Sequence, residues 1–245
     1  MRYKIIIEYN GSSFSGWQKQ QHSINSVQET IENAIFNFSK EKVTLYCGSR
    51  TDAGVHALGQ VAHFNIKKEL ELYKIRNAIN FYLKSIPITI LSVEIVNNEF
   101  HARFSAKKKH YEYKIFIRCT PTVLNSGYVW QIFNPLDVNI MREAAKYLLG
   151  KHNLSSFRSK NCQAISPIKT IDNIEIVQNE NFIYIKISAI SFLHNQVRII
   201  VGTLVKFGKN KTNPQEMLNI LKQRRRSAAG VTAPPYGLYL VKIDY

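Results

Sequence analysis

The sequence predicts an α+β fold made of two ferredoxin-like halves, each β-α-β-β-α-β, with their sheets joined and a cleft between them. Three observations carry this. Short β-rich runs alternate with segments of helical periodicity. The order of elements in the first half recurs in the second without any repeat at residue level. The chain of 245 residues, 45% hydrophobic and 20% charged, is long enough for one large or two small cores.

The first half spans residues 1–105. "YKIIIEY" (3–9) reads as a strand. "SVQETIENAIFNF" (26–38) reads as a helix: Ser26 and Glu29 form a capping-box pattern, and Val27, Ile31, Ala34, Ile35 and Phe38 share one face. "VTLYCGS" (43–49) and "GQVAHFNI" (59–66) read as strands. Leu70–Lys84 reads as a helix with Leu72, Ile75, Ile79, Tyr82 and Leu83 inward, and "ITILSVEIV" (88–96) as the closing strand. The seam falls near Phe100–Lys109.

The second half spans 106–245. "KHYEYKIFI" (109–117) is a strand. Asp137 caps a helix running past Leu148 to a stop at Gly150. "IDNIEIVQ" and "NFIYIKISAI" form a hairpin-like pair around Asn179. "NQVRIIVGTLVKFG" (195–208) is a helix ending at Gly208, Asn213-Pro214 opens a short one, and "GLYLVKIDY" closes as a strand.

Lys and Arg number 33 against 17 Asp and Glu, a formal charge of +16. Such a field favours polyanions. No apolar run reaches the roughly 18 residues of a membrane span, and the start "MRYKIIIEYN" is too short and strand-like for a secretory signal. A nucleic acid is therefore favoured over a membrane. Cys47, Cys119 and Cys162 are far apart, which speaks for reduced thiols and against a zinc site. There is no phosphate-binding loop, no G-x-S-x-G, no H-E-x-x-H and no zinc-deaminase pattern. Neither a metal nor a cofactor is expected, so chemistry here falls to side chains.

Asp52, in "GSRTDAGVHALGQ", is a lone acid among small residues. Asp before Ala-Gly reads locally as a turn cap. It is also placed as a reactive group. The loop joins two strands, and Arg50, two positions away, projects to the same side and favours the carboxylate form. Arg198 lies in an apolar helix beside Val197 and Ile199, where a guanidinium needs a carboxylate partner, and Asp52 is the natural one. Lys107–Lys109 and Arg224–Arg226 are candidate phosphate contacts.

Five stretches resemble the motifs of the tRNA pseudouridine synthase A family, in order along nearly the whole chain. They are "EYNGSSFSGWQKQ", "GSRTDAGVHALGQVAHF", "FHARFSAKKKHYEY", "FLHNQVRIIVGTL" and "AGVTAPPYGLYLVKIDY". The resemblance implies the pseudouridine synthase fold and isomerisation of uridine at positions 38, 39 and 40 of the tRNA anticodon stem-loop. It also implies a cytoplasmic homodimer acting without a cofactor. By the same resemblance Asp52 is the catalytic carboxylate. Tyr111 stacks on the target base and accepts its C5 proton, and Arg198 pairs with the carboxylate. Arg50 and Arg103 assist base flipping, Phe100, His101 and Phe104 lie in an RNA-contacting segment, and Leu238 walls the pocket. The sequence departs from the family pattern at Lys109 and His110, and at Ile165 in "NCQAISPIKT", all where arginines are common. The alternative is a non-catalytic tRNA-binding protein or chaperone of the same fold. A carboxylate at the centre of such a site has three routes: attack on C1′, addition to C6, or removal of a ribose proton to give a glycal.

Overall fold

A computed structural model describes residues 1–20, 25–67 and 69–245. In chain order the first elements are β1 (Arg2–Tyr9), α1 (Val27–Ser39), β2 (Tyr46–Cys47), β3 (His56–Asn65), α2 (Leu72–Tyr82) and β4 (Ile88–Val96). Then come β5 (Lys108–Ile117), β6 (Trp130–Ile132), α3 (Val138–Lys146), β7 (Gly150–Asn153), β8 (Ile168–Ile171) and β9 (Asn173–Asn179). The chain finishes with β10 (Phe182–Ala189), α4 (Gln196–Asn210), α5 (Glu216–Gln223) and β11 (Leu238–Asp244). The mixed α+β class is as the sequence predicts. No helix among the described residues is long and apolar enough to cross a membrane. Two compact units emerge: Met1–Lys109 with Tyr239–Tyr245, and His110–Leu238.

In the first unit the order β-α-β-β-α-β stands as expected. Its strands lie in the order β4-β1-β3-β11, with β2 also on β3. β1 runs antiparallel to both β3 and β4, Ile5 facing Ala62 on one side and Val93 on the other. Along β1, Tyr3, Ile5, Ile7 and Tyr9 are buried while the residues between them are not, the period-2 pattern of a strand with one covered face. α1 buries Val27, Ile31, Ala34 and Ile35 on one stripe, with Phe38 half-buried. Ser26 Oγ accepts from Glu29 N at 3.2 Å, half of a capping box. The other half is absent because the Glu29 carboxylate pairs with Lys19 at 2.8 Å instead.

Three expectations are corrected here. The predicted strand 43–49 shrinks to Tyr46–Cys47, since the Leu45 amide goes to Glu32 Oε1 at 2.9 Å rather than into a ladder. α2 spans Leu72–Tyr82, two residues short at each end. Ile75, Ile79 and Leu83 are buried, but Leu72 and Tyr82 are 37% and 42% exposed. They are the first and last helical residues, where a side chain has a neighbouring turn on one side only.

The second unit carries β5-β10-β9 with β6 parallel on β5, and a separate β7-β8 pair. The β9-β10 hairpin turns between Asn179 and Phe182, with Glu180 at φ 51°. Asp137 Oδ1 caps α3 by accepting from Ile140 N at 3.0 Å. Its helix ends at Lys146, short of Gly150, which instead opens β7 at φ 89°. Gly208 does not stop α4, which runs on to Asn210 and is closed by the left-handed Lys211. A Cβ on Gly208 would stand 2.9 Å from Met141 Sδ, so this glycine lets α3 and α4 approach closely. The run read as one strand at 171–178 is broken between β8 and β9 at Asp172.

Candidate active site

Asp52 lies in the loop from β2 to β3, within the first unit, and is half-buried. Its carbonyl accepts from Val55 N at 3.1 Å, and Gly54 has φ 78°. A positive φ at the third residue of a turn is the type II pattern, which glycine satisfies without strain. The predicted Ala-Gly turn is therefore present.

The turn is held from both sides. Upstream, Gly48 N donates to Val61 O at 2.7 Å, and Gln60 Nε2 donates to Ser49 O at 2.5 Å. Thr51 Oγ1 and Tyr9 Oη share a hydrogen bond of 2.7 Å, and Trp17 N donates to Thr51 O at 3.0 Å. The motif "NGSSFSGW" forms the second wall. Gly11 N donates to His56 Nδ1 at 3.1 Å. A Cβ on Gly11 would stand 2.0 Å from Val55 O, and one on Gly16, whose φ is 105°, 2.8 Å from Thr51 O. No larger residue fits at either place, so the N-terminal motif is a backbone cradle for the Asp52 turn. Beside this loop, burial pushes the Cys47 thiol up to about 12, so it is not a competing nucleophile at neutral pH.

Arg50 and Arg103 are exposed. The segment carrying Arg103 is pinned by its neighbours. Arg2 Nη1 donates to the carbonyls of Asn98 and of Phe100, the latter at 2.8 Å. Ala102 N donates to His63 Nδ1 at 3.1 Å, and Tyr245 Oη donates to Ala102 O at 2.7 Å. Phe100 packs on Tyr245 with ring centroids 5.0 Å apart, while Phe104 is 76% exposed beneath the Arg103 guanidinium and 4.4 Å from the His101 ring. The anchoring residues face inward and Arg103 and Phe104 face outward.

His63 is buried and must be neutral to accept at Nδ1. Burial, then the neighbouring His101 and Arg2, lower its pKa from about 6.5 to about 4. A folded value below the unfolded one gives stabilisation that is complete above about pH 6.5 and lost as pH falls toward about 4. A thermal melt is expected to show Tm falling from about pH 7 to about pH 4.5. His63→Asn, which keeps an acceptor near Nδ1 but does not titrate, is expected to flatten part of that fall. An unchanged slope in the variant would count against the assignment.

The second unit holds Tyr111, Arg198 and Leu238. Tyr111 on β5 is 7% exposed, its ring edge-on to Phe192 at 5.3 Å. Tyr113, two residues on, is fully buried and donates to Pro234 O at 2.7 Å, and burial raises its pKa well above the ordinary range. It is a structural hydroxyl, not a proton acceptor. Arg198 on α4 donates from Nε to Ala233 O at 2.7 Å and from Nη1 to Asn195 Oδ1 at 2.8 Å. Leu238 is 6% exposed and follows Gly237, where a Cβ would stand 2.7 Å from the Tyr113 ring.

Sequence reasoning missed Gly11, Gly16, Asn195 and Ala233. Their roles are contacts with residues remote in the chain, and only Asn195, three positions before Arg198, left a local trace. Among the candidate phosphate contacts, Lys109 is buried, and Arg226 donates to Gly230 O at 2.8 Å and to Thr232 Oγ1 at 3.0 Å. Ile165 is fully exposed at the tip of a loop tied by Arg158 to the carbonyls of Cys162 and Ala164, at 2.8 and 2.7 Å. Among the described residues no cluster of His, Cys, Asp and Glu is placed to hold a metal.

Comparison with known proteins shows the family. A family model described as tRNA pseudouridine synthase matches residues 5–105 and 144–245. Relatives named tRNA pseudouridine synthase A are 78% identical in Wolbachia pipientis wMel and 59% identical in Ehrlichia chaffeensis, each over 245 residues and 100% of both chains. One from Anaplasma phagocytophilum is 52% identical, again over 100% of both chains.

Proposed function

The chain belongs to the tRNA pseudouridine synthase family, an isomerase of uridine in tRNA, and from that premise we propose that it acts at positions 38, 39 and 40 of the anticodon stem-loop with Asp52 as catalytic carboxylate. The observation that carries the reading is the Asp52 turn, clamped by Gly11, Gly16, Thr51 and Gln60. A carboxylate that acts on one ribose or one base carbon has to be held still.

The reaction breaks N1–C1′, rotates the uracil, joins C5 to C1′, and moves the C5 proton away as N1 gains one. Atoms and electrons balance without oxidant, ATP or metal, so the enzyme works cofactor-free. Asp52 initiates, by attack on C1′, by addition to C6, or by taking a ribose proton. Tyr111 stacks on the base and accepts the C5 proton. Arg198 pairs with the carboxylate and aims it. Flipping the base out of the stem costs a few kcal/mol, offset by Arg50 and Arg103 filling the gap and by the segment Phe100, His101 and Phe104 on the RNA. Leu238 closes the pocket wall. The enzyme is a cytoplasmic homodimer, with one tRNA touching both subunits.

The test is to incubate unmodified tRNA with the protein, add no cofactor, and map pseudouridine at base resolution. Conversion at 38, 39 or 40 supports the reading, and tRNA bound without conversion would point to a binding protein. The charge of +16 also predicts a steep salt response. The logarithm of tRNA affinity is expected to fall by roughly 0.7–0.9 per log unit of salt for each phosphate contacted. A flat response in a filter-binding titration would sink the phosphate-contact argument.

A further inference from the structure

The start of α4 departs from ordinary helix entry. Asn195 takes the N-cap position at φ 61° and ψ 7°, in the left-handed region, where an N-cap is normally extended. Its side chain makes no capping hydrogen bond. Its Oδ1 instead accepts from Arg198 Nη1 at 2.8 Å. The first turn is held by other bonds: Gln196 N donates to Leu193 O at 3.0 Å, Ile199 N to Asn195 O at 2.9 Å, and Leu193 N to Gln196 Oε1 at 2.7 Å. A forgone cap and a left-handed backbone are both unfavourable, and such features persist where the surroundings enforce them.

The other flank of the same guanidinium is also held. Arg198 Nε donates to Ala233 O at 2.7 Å, and Ala233 N donates back to Arg198 O at 3.1 Å. The segment carrying Ala233 is seated directly on the helix. A Cβ on Gly202 would stand 1.9 Å from Val231 O, and one on Gly230 2.7 Å from Gly202 O. A guanidinium is a rigid planar fork. Bonds to two of its nitrogens from two different segments fix its plane, and with it the direction of Nη2.

We infer that Asn195 is a positioning residue that holds the Arg198 guanidinium in the orientation the reaction uses. This rests on the reading of Arg198 as part of the catalytic group. Asn195 acts through Arg198, and its side chain is diverted from capping to do so. Asparagine suits the place because it tolerates the left-handed region and presents an oxygen one short arm from the backbone.

Single-turnover conversion of unmodified tRNA, measured across enzyme concentrations, separates the rate at saturation from the half-saturating concentration. Asn195→Gly keeps the left-handed backbone and removes the acceptor. It is expected to lower the saturating rate by about 10- to 100-fold, with half-saturation and Tm close to wild type. Asn195→Asp, which restores an acceptor in the same place, is expected to recover most of the rate. A wild-type saturating rate in Asn195→Gly overturns the inference. So does a loss confined to half-saturation, or an Asp variant no faster than the Gly variant. Arg198→Ala run alongside separates the two readings. If it converts at the wild-type rate, the catalytic assignment of Arg198 falls and this inference with it. If it is inactive while Asn195→Gly is unimpaired, only the positioning role of Asn195 falls.

Discussion

Asp52→Asn is expected to cut conversion of uridine to pseudouridine by at least about 10³-fold, with tRNA binding retained. Asparagine matches aspartate in shape, and the turn that carries it is made by backbone groups, the Asp52 carbonyl and the Val55 amide at 3.1 Å. The left-handed Gly54 and the close contacts at Gly11 and Gly16 do not depend on the carboxylate either. What is lost is the charge. By any of the three routes from uridine, the neutral amide is a poor nucleophile and a poor base. Binding is retained or slightly stronger, because one fewer negative charge on a chain of +16 favours a polyanion. Pseudouridine mapping and filter binding on the same preparations check both halves. Conversion at the wild-type rate would remove Asp52 from the mechanism, and loss of binding with loss of conversion would make it a structural residue.

Gly11→Ala is expected to damage the site from outside it. Its methyl would stand 2.0 Å from Val55 O and 2.5 Å from the carbon of the same carbonyl. Both are backbone atoms of the Asp52 turn, with no rotamer by which to retreat. The N-terminal segment or the turn must move, which also strains the Gly11 N to His56 Nδ1 bond of 3.1 Å. Displacing a catalytic carboxylate by about 1 Å costs roughly 10²-fold in rate. The overpacking costs about 2 kcal/mol, or about 4–8 °C in Tm for a chain of this size. Gly150→Ala is the control. There φ is 89° but the nearest atom to a Cβ is 4.0 Å away, so only backbone strain is added, in the other unit. It is expected to lower Tm by a smaller amount and leave conversion intact. Equal losses of conversion in the two variants would show that the Gly11 contact has no special bearing on the site.

Most of the fold was legible because it rests on local periodicity. The alternation along β1 and the stripe Val27, Ile31, Ala34, Ile35 on α1 follow from which side chains avoid water, and neighbours in sequence report that directly. The N-caps at Ser26 and Asp137 were legible for the same reason, since donor and acceptor lie three residues apart. Gly208 was misread because the same residue serves two purposes. A glycine near a helix end usually marks a C-cap, and here it marks where Met141 presses on the helix. The ends of α2 were misread because periodicity says which way a side chain points, not whether anything stands there to cover it.

Within the candidate site, the Asp52 turn was legible from Asp-Ala-Gly, because a turn's requirements are local. Arg198 was legible as an arginine in need of partners, because an apolar helix offers it none. Asp52 was the partner read for it, and the bonds it makes to Asn195 and Ala233 were not foreseen. Asn195 lies within one helical turn and Ala233 thirty-five residues downstream, and the pairing with Ala233 exists only because Gly202 and Gly230 let that segment touch α4. The cradle around Asp52 is of the same kind, with Gly11 and Gly16 some forty residues upstream of the turn they hold. The amino-acid order alone settled most of the strands, most of the helical faces and the basic charge, and it singled out Asp52 as a candidate, since each depends on adjacent residues or on sums over the chain. Folding settled how firmly the acid and the arginine are held. Rigidity there comes from backbones meeting at distances only glycine permits, and such meetings are properties of the packed chain.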